Sequence, residues 1–269
     1  MNRILGIIKK YNLFTKKKFG QNFLVDEFLL DKIVNCSGEI KNKNILEIGC
    51  GPGGLTYSIL KQEPKKLISI EIDKDCYNIV KTEFNEYKNF EVINQDAIKV
   101  NESDLFDSEK IKIIANLPYN VGTNLLIKWI NNLSIFEDFT LLLQKEVVDR
   151  IIAEPKTKDY GRLSILVQSL CDAKKCFDIS PNNFIPAPKV MSSVVFIKPK
   201  NDIKNVNIKK LSKITLILFN QRRKIIKKSI ENLIKNDEID EKVFDIIDLN
   251  KRAEELSVND FILIHKLLK

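Results

Sequence analysis

Five short apolar runs, four of them followed by an amphipathic stretch, constrain this chain more than any other feature of its sequence. Asn44–Ile48, 66–72, Phe90–Asn94, 111–115 and 139–143 read as strands, and 55–62, 75–84, 123–132 and 146–154 read as helices between and after them. Strands that are apolar on both faces and alternate with helices form a parallel sheet covered on both sides. A further helix is expected over 26–34, opened by Asp26, whose carboxylate suits an N-cap. The β-rich run 191–197 is expected to close the sheet, and the polar stretch 199–207 reads as a linker. Beyond it the pattern is helical only. The sequence therefore predicts an α/β domain over residues 1–200, opened by a basic segment over 1–24, and a small all-α domain over 201–269.

Glu47-Ile48-Gly49-Cys50-Gly51-Pro52-Gly53-Gly54 follows the first strand and opens a helix. Glycines there permit a tight turn and a close ligand approach. Glu71 ends the second strand, about 20 residues on, where a carboxylate accepts from ribose hydroxyls. Asp96 ends the third strand and is placed to accept from an adenine amino group. Strand ends on one side of a parallel sheet are where such folds bind ligands. Gly49-x-Gly51-x-x-Gly54 also fits a nicotinamide dinucleotide, and helix capping is the alternative reading of Glu71 and Asp96. The third-strand acid and the next motif tilt the reading to S-adenosylmethionine.

Asn116-Leu117-Pro118-Tyr119 ends the fourth strand. The Asn amide and a neighbouring carbonyl are acceptors for an exocyclic amino group, Pro fixes their convergence, and the Tyr ring offers a face to a planar base. Holding the amine hydrogens out of the ring plane localises the nitrogen lone pair for attack on an electrophile. An ordinary strand-ending turn is the alternative. Phe184, before a Pro-x-Pro loop, is a candidate second aromatic face, with core packing as its alternative.

Composition limits the other choices. The net charge is +8 and the pI near 9.0, which suits a polyanionic partner or simply a solvated lysine-rich surface. Cations cluster at Lys16, Lys17 and Lys18, and at Arg222, Arg223, Lys224, Lys227 and Lys228, the second group in a segment that reads as helix. These are the candidate RNA contacts. The five cysteines include no CxxC pair, and the single histidine, His265, sits in a terminal amphipathic helix. No metal site is legible and a reducing cytosol is expected. The first eighteen residues do not read as a secretory signal, and no run is long enough to span a membrane.

The chain resembles the small-subunit ribosomal RNA adenine dimethyltransferases. The resemblance is carried by Lys17-Lys-Phe-Gly-Gln-Asn-Phe-Leu24, Glu47 to Thr56, Glu71-Ile-Asp73, Gln95-Asp96, Asn116-Leu-Pro-Tyr-Asn120, Leu143 to Val148, Tyr160 to Ser164, Phe184 to Val190 and Phe219 to Lys224, in family order. It implies a Rossmann-like methyltransferase sheet and S-adenosylmethionine contacts at Asn22, Leu24, Gly49, Glu71, Asp96 and Asn116, to which the glycine turn adds Gly51. It implies a target adenine stacked between Tyr119 and Phe184. The product expected is N6,N6-dimethyladenosine at two adjacent adenines of a 3′-terminal hairpin of small-subunit rRNA, made by a cytoplasmic monomer with a role in ribosome biogenesis. Cys50 and Pro52 depart from the family pattern. The rivals are a large-subunit rRNA adenine methyltransferase, a non-catalytic RNA-binding assembly factor and a nicotinamide dehydrogenase.

Overall fold

The computed structural model describes residues 2–107, 109–201 and 206–269, and for Lys17 the backbone only. In chain order the strands and α-helices are α1 (Arg3–Lys10), β1 (Phe23–Leu24), α2 (Glu27–Cys36), β2 (Asn44–Ile48), α3 (Gly54–Leu60), β3 (Lys66–Glu71), α4 (Lys74–Glu83), β4 (Phe90–Asn94), β5 (Ile111–Asn116), α5 (Gly122–Ile130), β6 (Phe136–Gln144), α6 (Lys145–Ile151), α7 (Arg162–Gln168), β7 (Cys171–Ile179), β8 (Phe184–Ile185), β9 (Ser192–Pro199), α8 (Ile208–Phe219), α9 (Lys227–Lys235), α10 (Val243–Ile246) and α11 (Val258–Leu267).

A seven-stranded sheet has the order β4-β3-β2-β5-β6-β9-β7. Strands β4, β3, β2, β5 and β6 run parallel, and β9 pairs antiparallel with β6. Every residue of β2 is buried, as expected of a central strand covered on both faces. The edge strand β4 is only partly buried and keeps Glu91 and Asn94 in solvent. The expected closing strand is β9, but it lies inside the sheet. Strand β7 occupies the edge, and its alternating polar residues had concealed it from the apolar-run criterion.

Helix α2 starts where expected, with the Asp26 carboxylate accepting from Leu29 N–H. Its Leu30, Ile33 and Val34 join Ile45, Ile59 and Leu67 in the main core. Beside β5 and β6, Trp129 is fully buried and stacks on Phe139 at 5.9 Å between ring centroids. Burying aromatic side chains of this size stabilises by roughly 1.5–3 kcal/mol each. Among the described residues no helix is long and apolar enough to cross a membrane.

The chain divides into two units: residues 1–148 with 174–198, and 149–173 with 199–269. The C-terminal part of the second unit begins within two residues of the expected division at residue 200, and the unit also takes in 149–173, which the sequence reading had placed in the first domain. Asp149–Ala173 groups with the C-terminal helices because Ala153, Tyr160, Ile165 and Leu166 share a core with α8 and α11. The Tyr160 ring is buried there, and its hydroxyl donates to Leu256 O at 2.9 Å. Much of the expected linker, residues 202–205, lies outside the described residues. The first turn after α8 is another departure. Helix α8 ends at Phe219, and 220–226 is a turn, so the cation cluster spans that turn and the start of α9.

Candidate functional site

A cavity of about 320 Å³ opens at the C-terminal ends of β2, β3, β4 and β5. It lies in the first unit and is lined by Asn22, Leu24, Gly49, Gly51, Glu71, Asp96, Asn116, Leu117, Pro118 and Tyr119. The structure thus brings together every expected cofactor residue and four of the five expected reaction-site residues.

The glycine turn is dictated locally. Gly51 has φ +53°, and a Cβ there would stand 3.0 Å from the Phe23 ring. Only glycine meets both the backbone sign and the approach of β1. Gly53, at φ +86°, forms the N-cap of α3, and a side chain there would strike the Phe84 ring.

Glu71 is 4% exposed. Its Oε2 accepts from Gly51 N–H at 2.9 Å and its Oε1 from Asp73 N–H at 2.8 Å. The carboxylate therefore ties the glycine turn to the end of β3 while still facing the cavity. Burial pushes its pKa up, against those two backbone donors. Asp96 combines both readings proposed for it, since one oxygen caps the following turn at Ile98 N–H, 3.0 Å away, while the residue lines the cavity.

The Asn116 side chain donates from Nδ2 to Asn22 O at 3.4 Å, which leaves Oδ1 as the acceptor for an amine. The Pro118 carbonyl is taken by the N–H groups of Val121 and Gly122 at 3.1 and 3.0 Å. Leu117 N–H donates to Leu142 O at 3.1 Å, and among the described residues the Leu117 carbonyl accepts no backbone hydrogen bond. That carbonyl is available as a second acceptor beside Asn116 Oδ1. The Tyr119 hydroxyl bonds Ser192 Oγ at 2.6 Å, and burial raises its pKa.

Three expectations are corrected. Phe184 does not line the cavity; it is 3% exposed, packs in the main core and pairs with Leu24 across β1 and β8. An aromatic on an apolar two-residue strand is worth more as core than as an open face. Lys16 is no free cation, because its Nζ lies 2.6 Å from both Asp73 Oδ1 and Asp75 Oδ2. Arg222 is engaged by Glu254 at 2.6 Å and Thr157 O at 3.1 Å. Arg223, Lys224, Lys227 and Lys228 are exposed. Lys18 is exposed beside the Phe19 ring and lines the cavity. The Lys17 side chain lies outside the described residues. His265 is 2% exposed, accepts from Asn207 N–H at Nε2 and pairs through Nδ1 with Ile262 O.

Several cavity residues escaped the sequence reading, two exposed isoleucines among them. Ile72 and Ile98 line it although 46% and 40% exposed. Ile72 directly follows the strand-end acid Glu71 and Ile98 stands two residues after Asp96, and that proximity was the available signal: an apolar side chain close to a carboxylate at a cavity suits the flat face of a base. Cys50, the departure from the family pattern, is buried, with its thiol 3.8 Å from Glu71 Oε2. Burial pushes that thiol up, so it stays protonated and neutral beside the carboxylate.

Residues 12–269 match the family model for ribosomal RNA adenine dimethylase. The chain is 42% identical over 261 residues to ribosomal RNA small subunit methyltransferase A of Wolbachia sp. subsp. Drosophila simulans (strain wRi), covering 96% of this chain and 94% of that protein. It is 46% identical over 259 residues to the protein of the same name from Ehrlichia ruminantium (strain Gardel), covering 93% and 96%. The crystal structure of a dimethyladenosine transferase from Plasmodium falciparum superposes with TM-score 0.76 at 29% identity, covering 89% of this chain and 94% of that one. With the strand-end acids, the glycine turn and the Asn116–Tyr119 edge around one cavity, the chain belongs to the ribosomal RNA adenine dimethylase family.

Proposed function

We propose that this protein transfers methyl groups from S-adenosylmethionine to N6 of two adjacent adenines in the 3′-terminal hairpin of small-subunit rRNA. The observation that carries the reading is the meeting of Glu71, Asp96 and the Asn116–Tyr119 edge around a single cavity. The residues fit the donor. Glu71 offers acceptors to ribose hydroxyls, Asp96 to an adenine amine, and the Gly49–Gly51 turn gives backbone access. When bound, S-adenosylmethionine supplies an electrophilic methyl on a sulfonium that leaves as a neutral thioether, so alignment matters more than acid catalysis.

The chain's own residues do the aligning. The Asn116 Oδ1 and the Leu117 carbonyl accept the two N6 hydrogens and aim the nitrogen lone pair across the cavity. The Tyr119 ring, fixed by Ser192, supports the flipped-out adenine. No histidine lines the cavity among the described residues, so the proton lost from N6 passes to water. Asn116→Ala should therefore depress single-turnover methyl transfer at saturating donor and RNA far more than RNA binding. Near-wild-type transfer would remove Asn116 from this role.

The RNA is met as the small ribosomal subunit or its precursor, by a monomer in the cytoplasm. All five cysteines are free thiols, which supports a reducing compartment. The deciding experiment is transfer of labelled methyl groups to unmethylated small and large subunits in parallel, with nucleoside analysis of the product. Dimethyladenosine in the small subunit is the expected result. Labelling of the large subunit alone selects the macrolide-resistance type of enzyme, and labelling of neither selects an assembly factor.

A further inference from the structure

We propose that Asp73 is a positioning residue for the methyl-donor site: it clamps the N-terminal segment in place as one wall of the cavity. The inference rests on the S-adenosylmethionine reading of that cavity. Asp73 itself lies outside the lining, whereas Lys18, Gly20, Gln21, Asn22, Phe23 and Leu24 contribute to it. This wall has little regular structure. A single turn of 3₁₀ helix over Lys17–Phe19 and the two-residue β1 are all it contains. Its far end is held by the pairing of β1 with β8. Its near end is held by Asp73.

The clamp is a closed circuit. The Asp73 side chain is 1% exposed, and Lys16 Nζ reaches its Oδ1 at 2.6 Å. Gln21 Nε2 donates to Oδ2 at 2.8 Å, and Gln21 Oε1 in turn accepts from Lys16 N–H at 2.7 Å. Asp75 N–H donates to Oδ1 at 3.1 Å, which fixes the carboxylate at the start of α4. The Asp73 N–H donates to Glu71 Oε1 at 2.8 Å. One residue thus orients the ribose-binding carboxylate through its backbone and the opposite wall through its side chain. The wall then passes Asn22 O to Asn116 Nδ2, which joins donor side and amine side. Charge-assisted hydrogen bonds to a buried carboxylate are strong enough to hold such a segment. A preorganised wall spares the ordering cost on ligand binding.

The test measures S-adenosylmethionine binding by calorimetry, steady-state transfer and thermal midpoint for Lys16→Met, Gln21→Ala, Asp73→Asn and the Lys16→Met/Asp73→Asn pair. Dissociation constants at least 10-fold weaker are expected for each single variant. The double variant should lose less than the sum of the two single losses, since both break the Lys16–Asp73 pair. KM for the donor should rise by a larger factor than kcat at saturation falls, because the wall meets the donor directly and the reacting edge only through the Asn22–Asn116 bond. Lys16→Arg should restore binding. If Asp73→Asn fails to fold, Lys16→Met and Gln21→Ala, at the outer side of the circuit, carry the test alone. Wild-type affinity in both would overturn the proposal. Loss of thermal midpoint without loss of affinity would overturn it too. A wild-type protein that binds no S-adenosylmethionine overturns the donor reading and the proposal together.

Discussion

The Tyr119 hydroxyl and Ser192 Oγ lie 2.6 Å apart, joining the reaction-site edge after β5 to the first residue of β9. Ser192 is fully buried. The Tyr119 ring, proposed to meet the target base, is therefore fixed by a residue from a strand on the opposite side of β6. A neutral hydrogen bond of this kind is worth about 1 kcal/mol. Ser192→Ala is expected to lower single-turnover methyl transfer several-fold with donor affinity unchanged. Tyr119→Phe should do the same, and the pair should be non-additive. Full additivity would separate the two residues.

Glu71 has two duties, and its removal should show both. Glu71→Ala should delete the charge-assisted acceptor proposed for the donor, worth about 1.5–3 kcal/mol of affinity. It also strands the N–H groups of Gly51 and Asp73 that donate to it. Weaker S-adenosylmethionine binding by calorimetry and a lower thermal midpoint are expected together. Unchanged affinity would exclude Glu71 from the donor site.

Glu47 predicts a pH dependence. It is wholly buried, its Oε2 accepts from Thr56 and Ser69 hydroxyls at 2.7 and 2.5 Å, and its Oε1 has no partner. Burial pushes its pKa from 4.5 up to about 7. An acid whose folded pKa is raised holds its proton more tightly when folded. The stability this gives is complete below about pH 4.5 and is lost as pH rises through 7. The difference amounts to on the order of 3 kcal/mol. Between pH 5 and 8 the thermal midpoint should fall more steeply in wild type than in Glu47→Gln. Burial also raises Glu71 and Asp138, so some slope should remain. Identical slopes would mean that Glu47 stays ionised.

The exposed cations Lys224, Lys227 and Lys228 stand at the turn and start of α9. Cations at a helix N-terminus are placed against its dipole, while a phosphate there is favoured by dipole and cations together. The triple substitution to Gln should weaken binding to the small subunit without touching donor affinity. Each lost phosphate contact should reduce the log–log salt slope by about 0.7–0.9. An unaltered slope would make the cluster a solvated face and direct attention to Lys18.

The alternating βα pattern and the site motifs were legible in the sequence because their signals are local. Apolar strand runs are local signals, so the buried β2 and the edge strand β4 were both read to the residue and β3 and β5 to within one. The glycines were legible because positive φ and close approach leave no other residue type. What the sequence left open depended on who stands beside whom. Phe184 taken alone reads as core and was proposed as a base-stacking ring on the family resemblance, and it packs as core, paired with Leu24. Lys16 looked like an RNA contact until Asp73 and Asp75, more than fifty residues on, were found beside it. Strand β7 hid because an edge strand alternates polar and apolar residues. Its neighbour β9 was misplaced because pairing order in a sheet is a long-range property. Local chemistry fixed the kinds of site this chain can build, and long-range packing decided which candidate residues serve it, since ion pairs and burial are made between segments that sequence distance does not relate.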